Sequence, residues 1–143
     1  GNTKQIAEKF EGFDLLEIRA QSTDPNQRIP ELVDIPSFET YDYIIFASPV
    51  HGFQLPHITR VYLDAQNTFK GKIIDLFITH FFPFSWLGGK QALSQMEKII
   101  NAKDGIVRYK TSINWKSRKK EQTIHKMLNA YQVEKKVQLL SLS

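Results

Sequence analysis

"YDYIIFASPVHGFQLPHITRVYLD", residues 41–64, decides the fold reading. Tyr43–Ala47 is a continuous apolar run that stops at Ser48-Pro49. A short apolar run closed by a turn signal reads as a strand covered on both faces. Pro49 and Gly52 shape the turn that follows. "HITRVYLDAQ", 57–66, then places Ile58, Val61, Tyr62 and Ala65 on one face of a helix. Strand, turn and helix in that order are half of a parallel crossover unit.

The same alternation continues outward. "KIIDLFITHFF", 72–82, is a second apolar strand. "KQALSQMEKIINA", 90–102, follows Gly88-Gly89 and carries a helical stripe of Leu93, Met96, Ile99 and Ile100. "GIVRYKTSINW", 105–115, alternates partially and reads as a strand. "SRKKEQTIHKMLNAYQV", 117–133, is a helix with Ile124, Met127, Leu128 and Tyr131 inward. Upstream, residues 2–11 have Ile6, Ala7 and Phe10 at helical spacing, with Asn2 or Thr3 as the cap. "FDLLEIRA", 13–20, reads as a strand. Residues 21–40 hold Pro25, Pro30 and Pro36 and read mostly as loop, with one helical turn at "ELVDI". A connection that long points to a functional or family-specific segment. Strands alternating with helices predict an α/β protein with a parallel sheet, one domain over residues 1–143, without repeats or low-complexity segments.

The chain has 143 residues, 41% of them hydrophobic, enough for a sizeable core. No apolar run reaches the roughly 20 residues of a membrane helix, so no membrane partner is expected. The first residues do not read as a basic segment followed by an apolar leader. The absence of cysteine excludes disulfides, thiolate chemistry and cysteine-ligated metals, and suits a reducing cytoplasm. The net charge of +4 is unevenly placed. Residues 1–102 carry 9 Lys/Arg against 12 Asp/Glu, and residues 103–143 carry 10 against 3. A basic C-terminal part fits either an anionic partner or a solvated helix face.

In open parallel sheets, ligands bind beyond the carboxyl ends of the strands. Three segments belong there. Gly1-Asn2-Thr3 opens a helix, where unbonded N–H groups and two polar side chains suit an anion such as a terminal phosphate, or make an ordinary cap. Ser48–Pro56 offers backbone groups of Pro49, Val50 and Gly52 to a planar ring with polar edges. His51 and Phe53 could flank that ring, or the segment is a plain connection. Thr79–Gly89 contains His80 and then Phe81, Phe82, Phe84 and Trp86 within a few residues. A loop that apolar covers a ligand or packs on the sheet edge, and Gly88 allows close backbone approach. All three segments converge on one edge of the sheet.

His51, His57 and His80 are enough side chains for a zinc site, but no metal-ligand spacing or acidic pair accompanies them, and no metal is expected. "KSRKK", 116–120, could touch phosphates, but lacks the interleaved aromatics of single-strand binders. Nucleic acid is an unlikely partner on this pattern. No side chain stands out as a catalytic acid or base.

With these segments in order, the sequence resembles the flavodoxin-like proteins, the bacterial group that binds FMN, which includes NAD(P)H-dependent FMN reductases. The resemblance rests on "GNTKQIAEKF", "YDYIIFASPVHGFQLPHITRVYLD", "FKGKIIDLFIT" and "GGKQALSQMEKII" and runs through about residues 1–112. It implies a doubly wound sheet of order 2-1-3-4-5 in three α/β/α layers. It implies FMN with its phosphate at Gly1, Asn2 and Thr3. The ring would lie between Ser48, Pro49, Val50, His51, Gly52 and Phe53 on one side and Thr79, His80, Phe84, Trp86 and Gly88 on the other. The family's phosphate loop follows a first strand, and only the loop's second half, Gly1-Asn2-Thr3, is present. Without that strand, segments 13–20 and 41–48 would stand about 9–10 Å apart, two strand spacings. The resemblance therefore implies about 10–15 residues upstream, or a strand supplied by a second molecule in a homodimer. Residues 1–143 alone would hold FMN poorly. His51 stands where relatives often carry a larger aromatic, and the basic balance differs from acidic electron carriers. The implied function is electron transfer or NAD(P)H-dependent reduction of a flavin or quinone. The alternative is a flavin-free fold acting as an interaction or regulatory module.

Overall fold

The structure is a computed structural model that describes residues 1–142 other than 22, 23, 25, 34, 51–53 and 82–88, with the backbone alone at 132–142. In chain order the elements are α1 (Asn2–Ala7), β1 (Arg19–Ala20), β2 (Leu32–Val33), β3 (Tyr43–Pro49), α2 (His57–Asp64), β4 (Ile73–His80), α3 (Gly89–Ala102), β5 (Ile106–Asn114) and α4 (Lys120–Leu142). β3, β4 and β5 form a parallel three-stranded sheet in that order, while β1 and β2 pair antiparallel in a separate ribbon. The chain is thus a mixed α/β protein with a parallel sheet, as the alternation predicts.

β4 is central because its side chains are apolar on both faces. Ile74, Leu76 and Ile78 point one way into a core with Tyr62, Leu63, Ala92, Met96 and Ile100 of α2 and α3. Phe77 points the other way, with Ile6 of α1 and Ile124, Met127 and Tyr131 of α4. Helices therefore cover both faces of the sheet. Each fully buried side chain of this size contributes roughly 1.5–3 kcal/mol, which favours burying β4 over any other run.

Asp75 interrupts that apolar strand and is fully buried. It lies at a β-bulge: Ile74 pairs with Val107 and Leu76 with Lys110, so Arg108 and Tyr109 together oppose Asp75. The carboxylate takes up what the bulge leaves over. Oδ1 accepts from the Tyr109 backbone N–H at 3.0 Å and from Arg108 Nε at 3.2 Å. Oδ2 accepts from Arg108 Nη2 at 2.6 Å and from the Tyr43 hydroxyl. One side chain thus ties β3, β4 and β5 together. Burial, followed by the Asp75 hydrogen bond, holds the Tyr43 hydroxyl well above its ordinary pKa.

Several local expectations are corrected. The strand expected over 13–20 forms a ladder only at Arg19–Ala20, because pairing needs a neighbour and only Leu32–Val33 supplies one. Leu32–Val33 is accordingly a strand and not a helical turn. α1 ends at Ala7, ahead of the turn at Gly12, whose φ of 76° breaks a helix. Its N-cap is Gly1, and neither Asn2 nor Thr3 makes a capping side-chain bond. α2 turns so that Thr59, Tyr62 and Leu63 are its buried residues, with Ile58 and Val61 only half-buried. α4 starts at Lys120 because residues 115–119 form a turn, in which Ser117 Oγ accepts from the Lys119 N–H. It runs on to Leu142.

Candidate functional site

At the carboxyl end of the sheet, α1 meets the tip of β4. Thr79 alternates onto the α1 face of the strand and is almost fully buried. Its hydroxyl lies 2.8 Å from the hydroxyl of Thr3. The Thr79 carbonyl accepts from the Val50 N–H at 3.0 Å, which extends the β3–β4 ladder by one bond beyond Pro49. The first turn of α1, the exit of β3 and the exit of β4 are therefore joined directly.

These groups line a cavity of about 810 Å³, within the range of small-molecule sites. Gly1, Asn2, Thr3, Thr59 and Thr79 form a polar end; Phe10, Phe13, Ile45, Ala47 and Phe77 form apolar walls below. A side chain at Gly1 would meet nothing within 4 Å, so the backbone there is open to the cavity. The first N–H groups of a helix lack intrahelical acceptors, and the first intrahelical bond here is Gln5 N–H to the Gly1 carbonyl.

The outer wall is residues 13–18, which have no regular secondary structure. Two polar tethers hold this strap. Tyr41 donates to Asp14 Oδ2 at 2.6 Å, and Lys4 Nζ pairs with Glu17 Oε1 at 2.6 Å. The Glu17 partner raises the Lys4 pKa, and hydrogen bonding from Lys4 lowers that of Glu17. Phe13 packs edge-on against Phe10 at 5.6 Å and Tyr43 at 5.8 Å.

Of the residues the sequence singles out, Gly1, Asn2, Thr3, Pro49, Val50 and Thr79 meet at this cavity. Ser48 and His80 do not line it. Alternation turns both to the opposite face, where each is buried. The Ser48 hydroxyl lies 2.9 Å from Thr59 Oγ1 and donates to the Pro49 carbonyl. His51, Gly52, Phe53, Phe84, Trp86 and Gly88 lie outside the described residues. Among the described residues, no three His, Asp or Glu side chains gather as a metal site, and no helix is long and apolar enough to cross a membrane. Sequence reasoning missed Lys4, Thr59 and the whole strap. Thr59 carries a signal in retrospect: a hydroxyl in the first turn of a helix just after the loop.

No family model and no curated protein matches the chain. Two solved structures, both named "putative flavoprotein", are similar to it. The one from Bacteroides eggerthii is 20% identical with a TM-score of 0.65, over 90% of this chain and 89% of that one. The one from Bacteroides uniformis is 22% identical with a TM-score of 0.48, over 71% and 60%. The first likeness covers nearly the whole of both chains, and at that identity what it establishes is a common fold.

Proposed function

We propose that this chain is an FMN-binding redox protein of the flavodoxin-like class, whose sheet order is 2-1-3-4-5. The observation that carries this reading is the Thr3–Thr79 hydroxyl pair at 2.8 Å. It draws a glycine-led helix start and a strand exit onto one cavity with a polar end and apolar walls. The named flavoprotein with the same fold supports the reading.

The residues present fit FMN. Backbone N–H groups of the first α1 turn and the Asn2 and Thr3 side chains would hold the phosphate. The backbone at Pro49–Val50 would hold the ring, with His51, Gly52, Phe53, Phe84, Trp86 and Gly88 as its further contacts. When bound, the flavin supplies the electron- or hydride-accepting ring. The chain's own part is to bind, orient and exclude water. Thr79 keeps Thr3 in place, and Lys4, tied to Glu17, leaves the phosphate contacts to neutral donors. The reading includes one domain over 1–143 and a role as an electron carrier or as an NAD(P)H-dependent reductase of flavins or quinones.

Full-length protein, purified gently, should be yellow and should release FMN on denaturation. It should also quench added FMN fluorescence at micromolar concentration. A colourless protein without quenching would end this reading in favour of an interaction module. NADH and NADPH oxidation by the loaded protein separates reductase from carrier.

A further inference from the structure

The basic run at 116–120 has no part in the site described above, yet the fold carries it to the same edge of the sheet. β5 ends at Asn114, which pairs with His80, the last residue of β4. The Trp115 N–H donates to the His80 carbonyl at 2.8 Å, so the ladder runs one bond further. Trp115 therefore stands one strand spacing, about 4.8 Å, from Phe81, and the basic turn follows it. α3 begins at this edge too. Gly89 packs so closely that a Cβ there would lie 2.4 Å from Ser112 Oγ, which sets Lys90 beside the strand exits.

The charges along this edge are unbalanced. Lys90, Lys116, Arg118 and Lys119 are exposed, and among the described residues none of them has an acidic partner. Lys120 is held in place, its Nζ 4.1 Å over the Trp115 ring and 3.7 Å from Glu121 Oε1. Residues 48–50, 79–81 and 112–115 hold no Asp or Glu. Away from this edge, Arg108 and Lys110 of β5 are each paired with a carboxylate. Beside the unpaired cations stands Phe81, 53% exposed and on the rim of the cavity.

We infer that Phe81, Lys90 and residues 116–120 form a docking surface for the acidic face of a partner protein. An exposed ring flanked by charges is the anatomy of a protein interface, an aromatic centre with a polar rim. Unpaired cations attract and orient an acidic surface without a desolvated ion pair having to form. A small anion needs a recess with converging donors, and these cations spread along an open arc. A nucleic-acid strand needs a series of free aromatic faces, and Trp115 is taken, covered by Lys120 and packed on the α4-side core. A partner seated on Phe81 reaches the mouth of the cavity. That the contact serves electron exchange rests on the flavin reading; the contact itself does not.

The test is a titration of isotope-labelled protein, at low salt, with a peptide of Asp and Glu around one central Phe. Amide shifts should saturate and centre on Phe81, Lys90 and residues 116–120, and affinity should fall about tenfold or more on going to physiological salt. The triple reversal Lys116→Glu, Arg118→Glu, Lys119→Glu should weaken binding by about tenfold or more. Its fold is checked by circular dichroism, and the three side chains are exposed. The control reversal Lys9→Glu, Lys70→Glu, Lys98→Glu changes the net charge equally and should leave binding nearly intact. Equal weakening by both reversals, or no saturable shifts, overturns the proposal. Tighter binding of a single-stranded oligonucleotide at the same residues assigns the surface to nucleic acid and overturns it. Inorganic phosphate reproducing the shifts at lower concentration than the peptide assigns a small-anion site, and also overturns it. FMN quenching is read on the same samples. Peptide binding without quenching removes the flavin reading alone, and quenching without peptide binding removes the docking surface alone.

Discussion

Replacing Asp75 with asparagine should destabilise the protein by about 3 kcal/mol, and the structure says why. The carboxylate is fully buried and takes hydrogen bonds from Tyr43, from two nitrogens of Arg108 and from the Tyr109 N–H. The amide keeps one acceptor oxygen but turns an NH2 toward donors. It also leaves the Arg108 guanidinium, 24% exposed and held between the Tyr43 and Tyr109 rings, without its anion. Breaking a buried pair from one side costs about 3–5 kcal/mol, and the partial exposure of Arg108 puts the expectation at the lower end. For a chain of this size that is roughly a 10 °C fall in Tm. Urea unfolding followed by circular dichroism gives the free energy directly. Asp75→Asn combined with Arg108→Met should cost clearly less than the two single changes added together, because both changes remove the same interaction. A fall below about 1 kcal/mol for Asp75→Asn, or strict additivity in the pair, would refute the view of Asp75 as the tie between three strands.

Other expectations follow from single sites. Gly105→Ala should cost about 1–3 kcal/mol by overpacking, because a Cβ there would stand 2.4 Å from Ile100 Cγ2 and 2.8 Å from Phe69 Cβ, both in the core; a Tm unchanged by the substitution contradicts this. Tyr43 and Tyr131 have hydroxyls raised well above the ordinary value of 10.0, chiefly by burial, and burial also raises Tyr62. The unfolded tyrosines ionise first, so stability should be level at neutral pH and fall as pH rises through about 10. Tyrosinate absorbance should then appear together with unfolding, and early, separate titration of these residues would count against it. Thr3→Val removes one hydroxyl of the Thr3–Thr79 pair and should weaken FMN binding by about tenfold, the worth of one hydrogen bond. Riboflavin, which lacks the phosphate, should be affected much less, and equal weakening of both would move the phosphate elsewhere.

The sheet was legible where local pattern and tertiary role coincide. The runs at 43–49 and 73–80 are apolar on both faces because helices cover both faces, and the Leu93, Met96, Ile100 stripe is the buried side of α3. Asp75 shows the limit. Inside "KIIDLFITHFF" it looks like an interruption, and its partners Tyr43 and Arg108 are 32 and 33 residues away. Composition marks "FDLLEIRA" as a strand, but a ladder belongs to two segments, and only Arg19–Ala20 has a neighbour. At the site, chain order brought out Thr3, Val50 and Thr79. It could not show that Ser48 and His80 turn to the other face, since that depends on which face α1 covers. Lys4 and Glu17 meet only through the return of the strap past α1.

The most direct test of the cofactor site is amide chemical-shift mapping of full-length, isotope-labelled protein titrated with FMN. The account expects the largest shifts at Asn2, Thr3, Val50 and Thr79, around the polar end of the cavity, with Asp75 and Tyr109 unmoved. Saturable shifts centred on the Asp75 network or on the basic residues 116–120, or no shifts at all at millimolar FMN, would contradict it.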